Sequence, residues 1–585
     1  MPKASPSVPN VPSIVMWGRL ARRKSFDHDN RRWAIAIVCW LGLTFCHASS
    51  PPLLAAPPGK LAATSFGAAG EVAGSLHVLD TGNGRWMIDC GATERNSAGQ
   101  PAPGTTPGEP LESSVAQSLP PGVESASAVF LTHAHADHLG RLPLLVEREF
   151  AGPIYLTEAT AAIAAPMLRT LLRSDLDTVR RWTWAKPSRE RAERDRKALY
   201  VHWRPCRHRQ EIAPAACEEA TCAMRELRDR FGGATGHLKV ALCNECLGQQ
   251  VEAVLRHARP VKYDVPTVVA PGVGVTFLDA GHIPGSASIL FDVDLRGQQR
   301  RVLFSGDLGN HLSPLLSAPR PAPRVDAVFV EATYGPISRK AAVREQPAAF
   351  RRTVAEAVAA GGVTWIPCFA LERTQRVFYE LHVAQRAKLL PERLPIYCPS
   401  PTAREVTAVY NALRPRGWFS PAMAADADAF SPQEVLFRQP PEKRLPRPCV
   451  IISTGDLLVA PWMRRLLGSL LAEPSTNILL VGYQPAESAG ELLLHGAATL
   501  DVDGQAVRVR AKVHCFSCFS GHADASEIDA WLGNIPKQAT VVLVHGDREQ
   551  LIERAAQLRH QGRSHVVIAE PGKAIGLACA VFHGP

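Results

Sequence analysis

Short apolar runs that stop abruptly on polar metal-donor residues recur along this chain. Residues 128–132 form an apolar stretch of strand length, followed by His133-Ala134-His135-Ala136-Asp137-His138. Residues 139–150 then carry a helix-like pattern. The design returns at 275–278, which leads to His282, and at 301–304, which leads to Asp307. It returns again at 328–330 before Glu331, around Phe519-Ser520-Gly521-His522-Ala523-Asp524, and at 541–544 before His545. Layered α/β folds assemble their sites at strand ends, so these donors are expected to share one site. Between them, 354–360 and 374–389 read as helices, and 365–367, 450–453 and 478–482 as strands of a parallel sheet.

The donor types narrow the chemistry. Three imidazoles and a carboxylate within six residues suit zinc. In an extended segment His133 and His135 point to one side. After the chain turns, Asp137 and His138 can face elsewhere, so one loop can serve two neighbouring metals. Asp307 has two carboxylate oxygens and can bridge two ions. His282, taken alone, is as compatible with an ordinary core or surface histidine.

Composition adds bounds. A chain of 585 residues holds two or more domains, and 46% apolar with 21% charged residues is globular. The net charge of +10 fits a polyanionic partner and fits a merely basic protein equally well. No internal repeat and no basic run sharpens that signal. Arg31-Arg32, an apolar run at 34–46, small residues 47–50 and a Pro-rich stretch at 51–58 resemble a secretory signal. The competing readings are a misassigned start and a disordered tail, so the choice between a cytoplasmic and an exported location stays open. The apolar run is short for a membrane span. Among 14 cysteines, Cys206, Cys217, Cys222, Cys243 and Cys246 cluster, and four of them could hold a third, structural zinc. Buried or paired thiols are the alternative.

Taken in order, these motifs resemble the metallo-β-lactamase superfamily, in its β-CASP branch of RNA-processing nucleases. The resemblance runs from about residue 62 to 585. Phe66-Gly67-Ala68-Ala69-Gly70-Glu71 matches the family's opening, and Met87-Ile88-Asp89-Cys90-Gly91 its first motif. The His133–His138 cluster, His282 and Asp307 match the next three, and Glu331 the acidic motif that opens the β-CASP region. Pro367-Cys368-Phe369-Ala370-Leu371-Glu372-Arg373-Thr374-Gln375, Ser453-Thr454-Gly455 and Gly482-Tyr483-Gln484 resemble stretches near the substrate. His522 and His545 match the closing histidine motifs. Two departures stand out: Glu372 replaces a usual Gly, and Asp456 a usual apolar residue.

The resemblance implies an αββα sandwich with an inserted α/β domain. The expected boundaries are an N-terminal extension at 1–61, a first metallo-β-lactamase part at 62–335 with a Cys-rich insertion at about 184–262, a β-CASP domain at 336–511 and a second part at 512–585. It implies two zinc ions. The first would take His133, His135 and His282, the second Asp137, His138 and His545, with Asp307 between them and Asp89 supporting the loop. His522, Glu331 and Asp137 are the implied catalytic residues, with His522 as general acid. Arg373, Ser453 and Gly455 are expected to contact single-stranded RNA. Histidine at 545 favours RNA over DNA as substrate. A small-molecule hydrolase, a DNA nuclease and an inactive scaffold are the competing functions, and a homo-oligomer is compatible with all of them.

Overall fold

The protein is described here by a computed structural model that covers residues 61–92, 119–184, 244–432, 435–455, 461–482, 484 and 488–577. The signal-like segment 31–50, Asp456 and Tyr483 lie outside the described residues. So do Cys206, Cys217, Cys222, Cys243 and the side chain of Cys246. No helix among the described residues is long and apolar enough to cross a membrane.

Two seven-stranded mixed sheets form the centre. The first runs, in spatial order, Ala574–Gly576, Ala62–Gly67, Leu76–Asp80, Arg85–Ile88, Ala128–Phe130, Ile154–Thr157 and Ala258–Val261. The second runs His565–Ile568, Thr540–Val544, Ala327–Glu331, Gln298–Phe304, Ala287–Leu295, Val273–Asp279 and Thr267–Ala270. The unbroken apolar runs read from the sequence follow from this layering. In Ala327–Glu331, Ala327 and Phe329 face the other sheet, while Val328 and Val330 face the helices outside. Val542 and Val544 against Val541 and Leu543 repeat the split in the neighbouring strand. A strand covered on both faces has no polar side, so alternation disappears.

Aromatic rings fill the space between the sheets. Phe304 and Phe329 stack at 4.5 Å, and Phe291 meets Phe130 edge-on at 5.1 Å. Each such ring contributes roughly 1.5–3 kcal/mol of burial free energy. Helices Glu158–Trp184 and Asn244–Leu255 cover the first sheet, and Ala525–Trp531 and Arg548–His560 cover the second. The expected αββα sandwich is therefore present.

The inserted part is a third, all-parallel sheet. Its order is Val435–Leu436, Ile396–Tyr397, Cys449–Thr454, Val363–Cys368, Asn477–Leu480 and Lys512–Cys515. The last of these strands lies past the boundary expected at 511. Helices Lys340–Ala359 and Arg373–Arg386 pack on one face and Pro461–Leu471 on the other. Arg169 pairs with Glu405 at 2.9 Å, and the Ser420 backbone N–H donates to the Leu315 carbonyl at 2.9 Å. These contacts fasten the insertion to the sandwich.

One local expectation changes. The helix expected over 139–150 is two short ones, Ala136–Leu139 and Leu142–Glu147. The chain breaks because it exchanges backbone bonds with the strand end beside it. Cys90 N–H donates to the His138 carbonyl at 2.7 Å, and Arg141 N–H to the Cys90 carbonyl at 2.8 Å. Gly140 permits this approach, since a Cβ there would lie 2.6 Å from Ala92 Cβ.

The loops that carry the donors are tightly stacked. A Cβ at Gly309 would lie 1.8 Å from the Gly281 carbonyl oxygen. Gly309→Ala should therefore destabilise the protein by about 3 kcal/mol or more. Gly248→Ala, in helix Asn244–Leu255 with open space around it, should stabilise by up to about 1 kcal/mol. Denaturant unfolding of both variants checks the contrast, and equal midpoints would contradict the packing described.

Candidate metal centre

Most donors stand at or just past the carboxyl end of a strand, while Asp137 and His138 lie in the short helix Ala136–Leu139. His133 and His135 follow Ala128–Phe130, His282 follows Val273–Asp279, and Asp307 follows Gln298–Phe304. Glu331 ends Ala327–Glu331, and His545 follows Thr540–Val544. The structure gathers His133, His135, His282 and Asp307 into one donor set and Asp137, His138 and His545 into another, with Asp307 also within 3.6 Å of His138 and His545.

In the first set, Nε2 of His133 lies 2.9 Å from Nδ1 of His135, and Nε2 of His282 lies 3.2 Å from that same Nδ1. Oδ2 of Asp307 is 3.4 Å from His133 Nε2 and 3.5 Å from His282 Nε2. In the second set, Oδ1 of Asp307 is 3.3 Å from His138 Nε2 and 3.6 Å from His545 Nε2. Oδ2 of Asp137 is 3.4 Å from His545 Nε2 and 3.9 Å from His138 Nε2. Four donors placed tetrahedrally around an ion at 2.0–2.1 Å stand about 3.3 Å apart. Both sets come close to that spacing. Nε2 of His138 and Oδ1 of Asp307 are also buried without a hydrogen-bond partner, a costly arrangement that a cation between them would relieve. The residues fit metal.

The surrounding groups fix the ring orientations. Asp89 Oδ2 accepts from Nδ1 of His138 at 2.7 Å, which leaves Nε2 free to face the site. The same carboxylate accepts from the Thr132 backbone N–H at 2.8 Å and from Ser75 Oγ at 3.1 Å. Asp89 sits at φ 61°, an unusual value for a non-glycine residue and a mark of local constraint. Glu331 is fully buried. It accepts from the Leu308 N–H at 2.5 Å and lies 3.1 Å from Nδ1 of His522. His522 Nδ1 stands 3.9 Å from Asp307. A third donor combination of Asp307, His522 and His545 is geometrically available, but Nδ1 of His522 is the atom facing Glu331.

Charge divides the two sets. Burial drives His133 and His282 well below the usual imidazole range and His135 to about 4, so these three rings are neutral. Burial also opposes a charge on His545, yet Asp307 and Asp137 outweigh it and raise this ring to about 9. His138 is likewise held well above its usual range against burial, by Asp307, Asp89 and Asp137. Burial opposes ionisation of Asp307, but His545, His138 and His133 hold its carboxyl well below the usual carboxylate range.

Two residues that organise the site were missed in the sequence. Thr132 Oγ1 lies 3.0 Å from Asp89 and 3.0 Å from His133 Nδ1. Thr333 Oγ1 lies 2.5 Å from Glu331 and 3.0 Å from His545 Nδ1. Their adjacency to the donors was the available signal. Asp524 was quoted only as part of its motif, yet its carboxylate takes the Ser526 and Glu527 N–H groups and the Arg339 N–H. The spacing from Asp524 to Glu527 is that of a capping box and could have exposed it.

The expected substrate contacts fare differently. The Ser453 side chain is fully buried and accepts from the Trp365 indole at 2.9 Å, so its hydroxyl faces the sheet interior. Gly455, at φ 94°, borders open space. Arg373 donates to the Val481 carbonyl at 2.6 Å, bridging two strand ends of the parallel sheet.

Comparison with known proteins agrees with this layout. A sequence model of the metallo-β-lactamase superfamily matches residues 69–333, a β-CASP domain model matches 374–493, and a model of a Zn-dependent metallo-hydrolase RNA specificity domain matches 506–569. Ribonuclease TTHA0252 of Thermus thermophilus is 30% identical over 521 residues, spanning 87% of this chain and 98% of that protein. Transcription termination factor FttA of Methanosarcina mazei is 25% identical over 511 residues, 85% of this chain and 68% of that protein. An RNase J-like protein of Methanocaldococcus jannaschii is 26% identical over 318 residues, 52% of this chain and 72% of that protein.

The charge division sets an expectation for metal uptake by the metal-free protein. A cation competes with a proton for each ring nitrogen. The first set is already neutral at pH 7 and should load with little proton release. The second carries protons there because its rings are raised, so its affinity should tighten as pH climbs towards 9. Calorimetric zinc titrations in buffers of different ionisation enthalpy should resolve one equivalent with little proton release and one with release. Two equivalents without proton release would contradict the division.

Proposed function

The chain belongs to the metallo-β-lactamase superfamily, in its β-CASP branch, and from that footing we propose that it hydrolyses RNA phosphodiester bonds with two zinc ions. The observation that carries this reading is Asp307, whose two oxygens each face a separate donor set at 3.3–3.6 Å. His133, His135 and His282 would hold one ion and Asp137, His138 and His545 the other, with Asp307 shared. When bound, such a pair supplies Lewis acidity to a phosphoryl group and to an attacking water.

The chain's own residues supply the remainder. Glu331 keeps the His522 ring in place by accepting at Nδ1, at 3.1 Å. The opposite nitrogen of His522 then delivers a proton to the departing ribose oxygen. Arg339 steadies the backbone of this turn by donating to the His522 carbonyl at 2.6 Å. Arg373, at the carboxyl end of the parallel sheet, offers a cation to the strand's phosphates. RNA as substrate is supported by the ribonuclease among the relatives, by the match to the RNA specificity domain and by histidine at position 545.

The test uses the full chain with its zinc quantified, incubated with labelled single-stranded RNA and the matching DNA, with and without chelator. We expect chelator-sensitive cleavage of RNA alone. Asp307→Ala should lose metal and activity together, because it removes a donor from both sets. His522→Ala should keep its zinc and slow turnover by about 10²–10⁴-fold. A fully active Asp307→Ala protein would contradict the two-ion reading, and loss of zinc in His522→Ala would contradict the acid assignment.

A further inference from the structure

Glu372 combines features that a residue with only a packing role would not need. It adopts φ 64° and ψ −53°, in the half of the backbone map that L side chains rarely enter. It is only 7% exposed. No hydrogen bond reaches its carboxylate among the described residues, and its ion pair is a loose 3.8 Å contact with Nε of Arg373. A largely buried carboxylate on a constrained backbone, held only by this loose ion pair, is costly, and such costs gather where a ligand will meet the group.

Its position says which ligand. Glu372 follows the carboxyl end of strand Val363–Cys368 and opens helix Arg373–Arg386. The next strands in the sheet are Asn477–Leu480, to which Arg373 reaches across, and Lys512–Cys515, from which the chain runs on to His522. The basic side chains that act on the Glu372 carboxylate are Arg373 and Arg376, with the His522 ring also near enough to act on it. On the same turn Phe369 is 52% exposed, the one aromatic ring among the exposed large apolar side chains of the described residues. An open ring of this kind is a stacking surface for a base of a single strand.

A carboxylate repels phosphate, so it is not there to hold the backbone of a nucleic acid. It accepts hydrogen bonds, and the donor that RNA carries beside each phosphate, and DNA lacks, is the ribose 2′-hydroxyl. We propose that Glu372 accepts a hydrogen bond from the 2′-hydroxyl of a nucleotide at the scissile bond and so sets the preference for ribose over deoxyribose. This rests on the ribonuclease reading above.

The test uses the zinc-loaded full chain and a set of RNA strands that differ by one 2′-deoxy nucleotide placed at each position around the cleavage site. The native chain should be slowed roughly 10- to 100-fold in kcat/KM by the substitution at one position. Glu372→Gly removes the carboxylate and relieves the backbone, so it should fold with an unchanged or higher Tm and lose that penalty. Glu372→Gln, which still offers an oxygen, should retain part of it. An unchanged penalty in Glu372→Gly would overturn the proposal. So would an equal fall on every strand with a shifted pH profile, which would instead make Glu372 a positioning residue for His522. A penalty that moves with base identity and not with the sugar would assign the carboxylate to a base. A native chain that cleaves RNA with no positional penalty overturns this inference alone, whereas one that cleaves no RNA brings down the ribonuclease reading as well.

Discussion

The carboxylate of Asp307 is the constraint around which the sandwich is arranged. It is nearly fully buried, and five imidazoles lie within 4 Å of its oxygens. An isolated charge of this kind would be expelled from the interior or neutralised. Here it persists because it follows a strand in the middle of the second sheet, Gln298–Phe304, and is flanked by loops that each deliver a nitrogen. The tight loop stacking at Gly281 and Gly309, and the exchange of backbone bonds between Cys90 and the His138 turn, serve that convergence. Stability and site geometry are therefore coupled through the same contacts.

The two faces of the Asp307 carboxylate do different electrostatic work. One meets rings that burial has already made neutral. The other meets rings that the surrounding carboxylates keep protonated. Asp89 and Glu331 extend the asymmetry outward, one fixing His138 and the other His522. One shared carboxylate thus stands between neutral donors on one side and protonated donors on the other. In the proposed reading, Arg373, Glu372 and Phe369, at the carboxyl ends of the inserted sheet whose last strand leads on to His522, would meet the nucleic acid.

Much of this was legible in the sequence because the decisive residues sit at strand ends, where an apolar run stops on a donor. His133, His135, His138, His282, Asp307 and His545 all follow that rule, and the structure gathers them. The residues that escaped notice, Thr132 and Thr333, are small hydroxyls whose importance comes from contacts distant in sequence or around the loop. The Trp365 partner of Ser453 was not legible, because a strand-end motif does not reveal which face a side chain takes. The broken helix at Gly140 was hidden for a related reason: its pattern is helical, and the break is imposed by backbone bonds to Cys90. Glu372 was visible as a departure from its family's pattern, but its positive-φ backbone and loosely paired carboxylate belong to the three-dimensional structure alone.

The central claim is that one shared carboxylate builds a two-ion centre for RNA hydrolysis. The most direct test adds zinc stepwise to metal-free protein, following bound metal and the rate of RNA cleavage on the same samples. The account predicts saturation at two equivalents at the His/Asp centre, with turnover rising only as the second is filled. Full activity at one equivalent, or none after two, would contradict it.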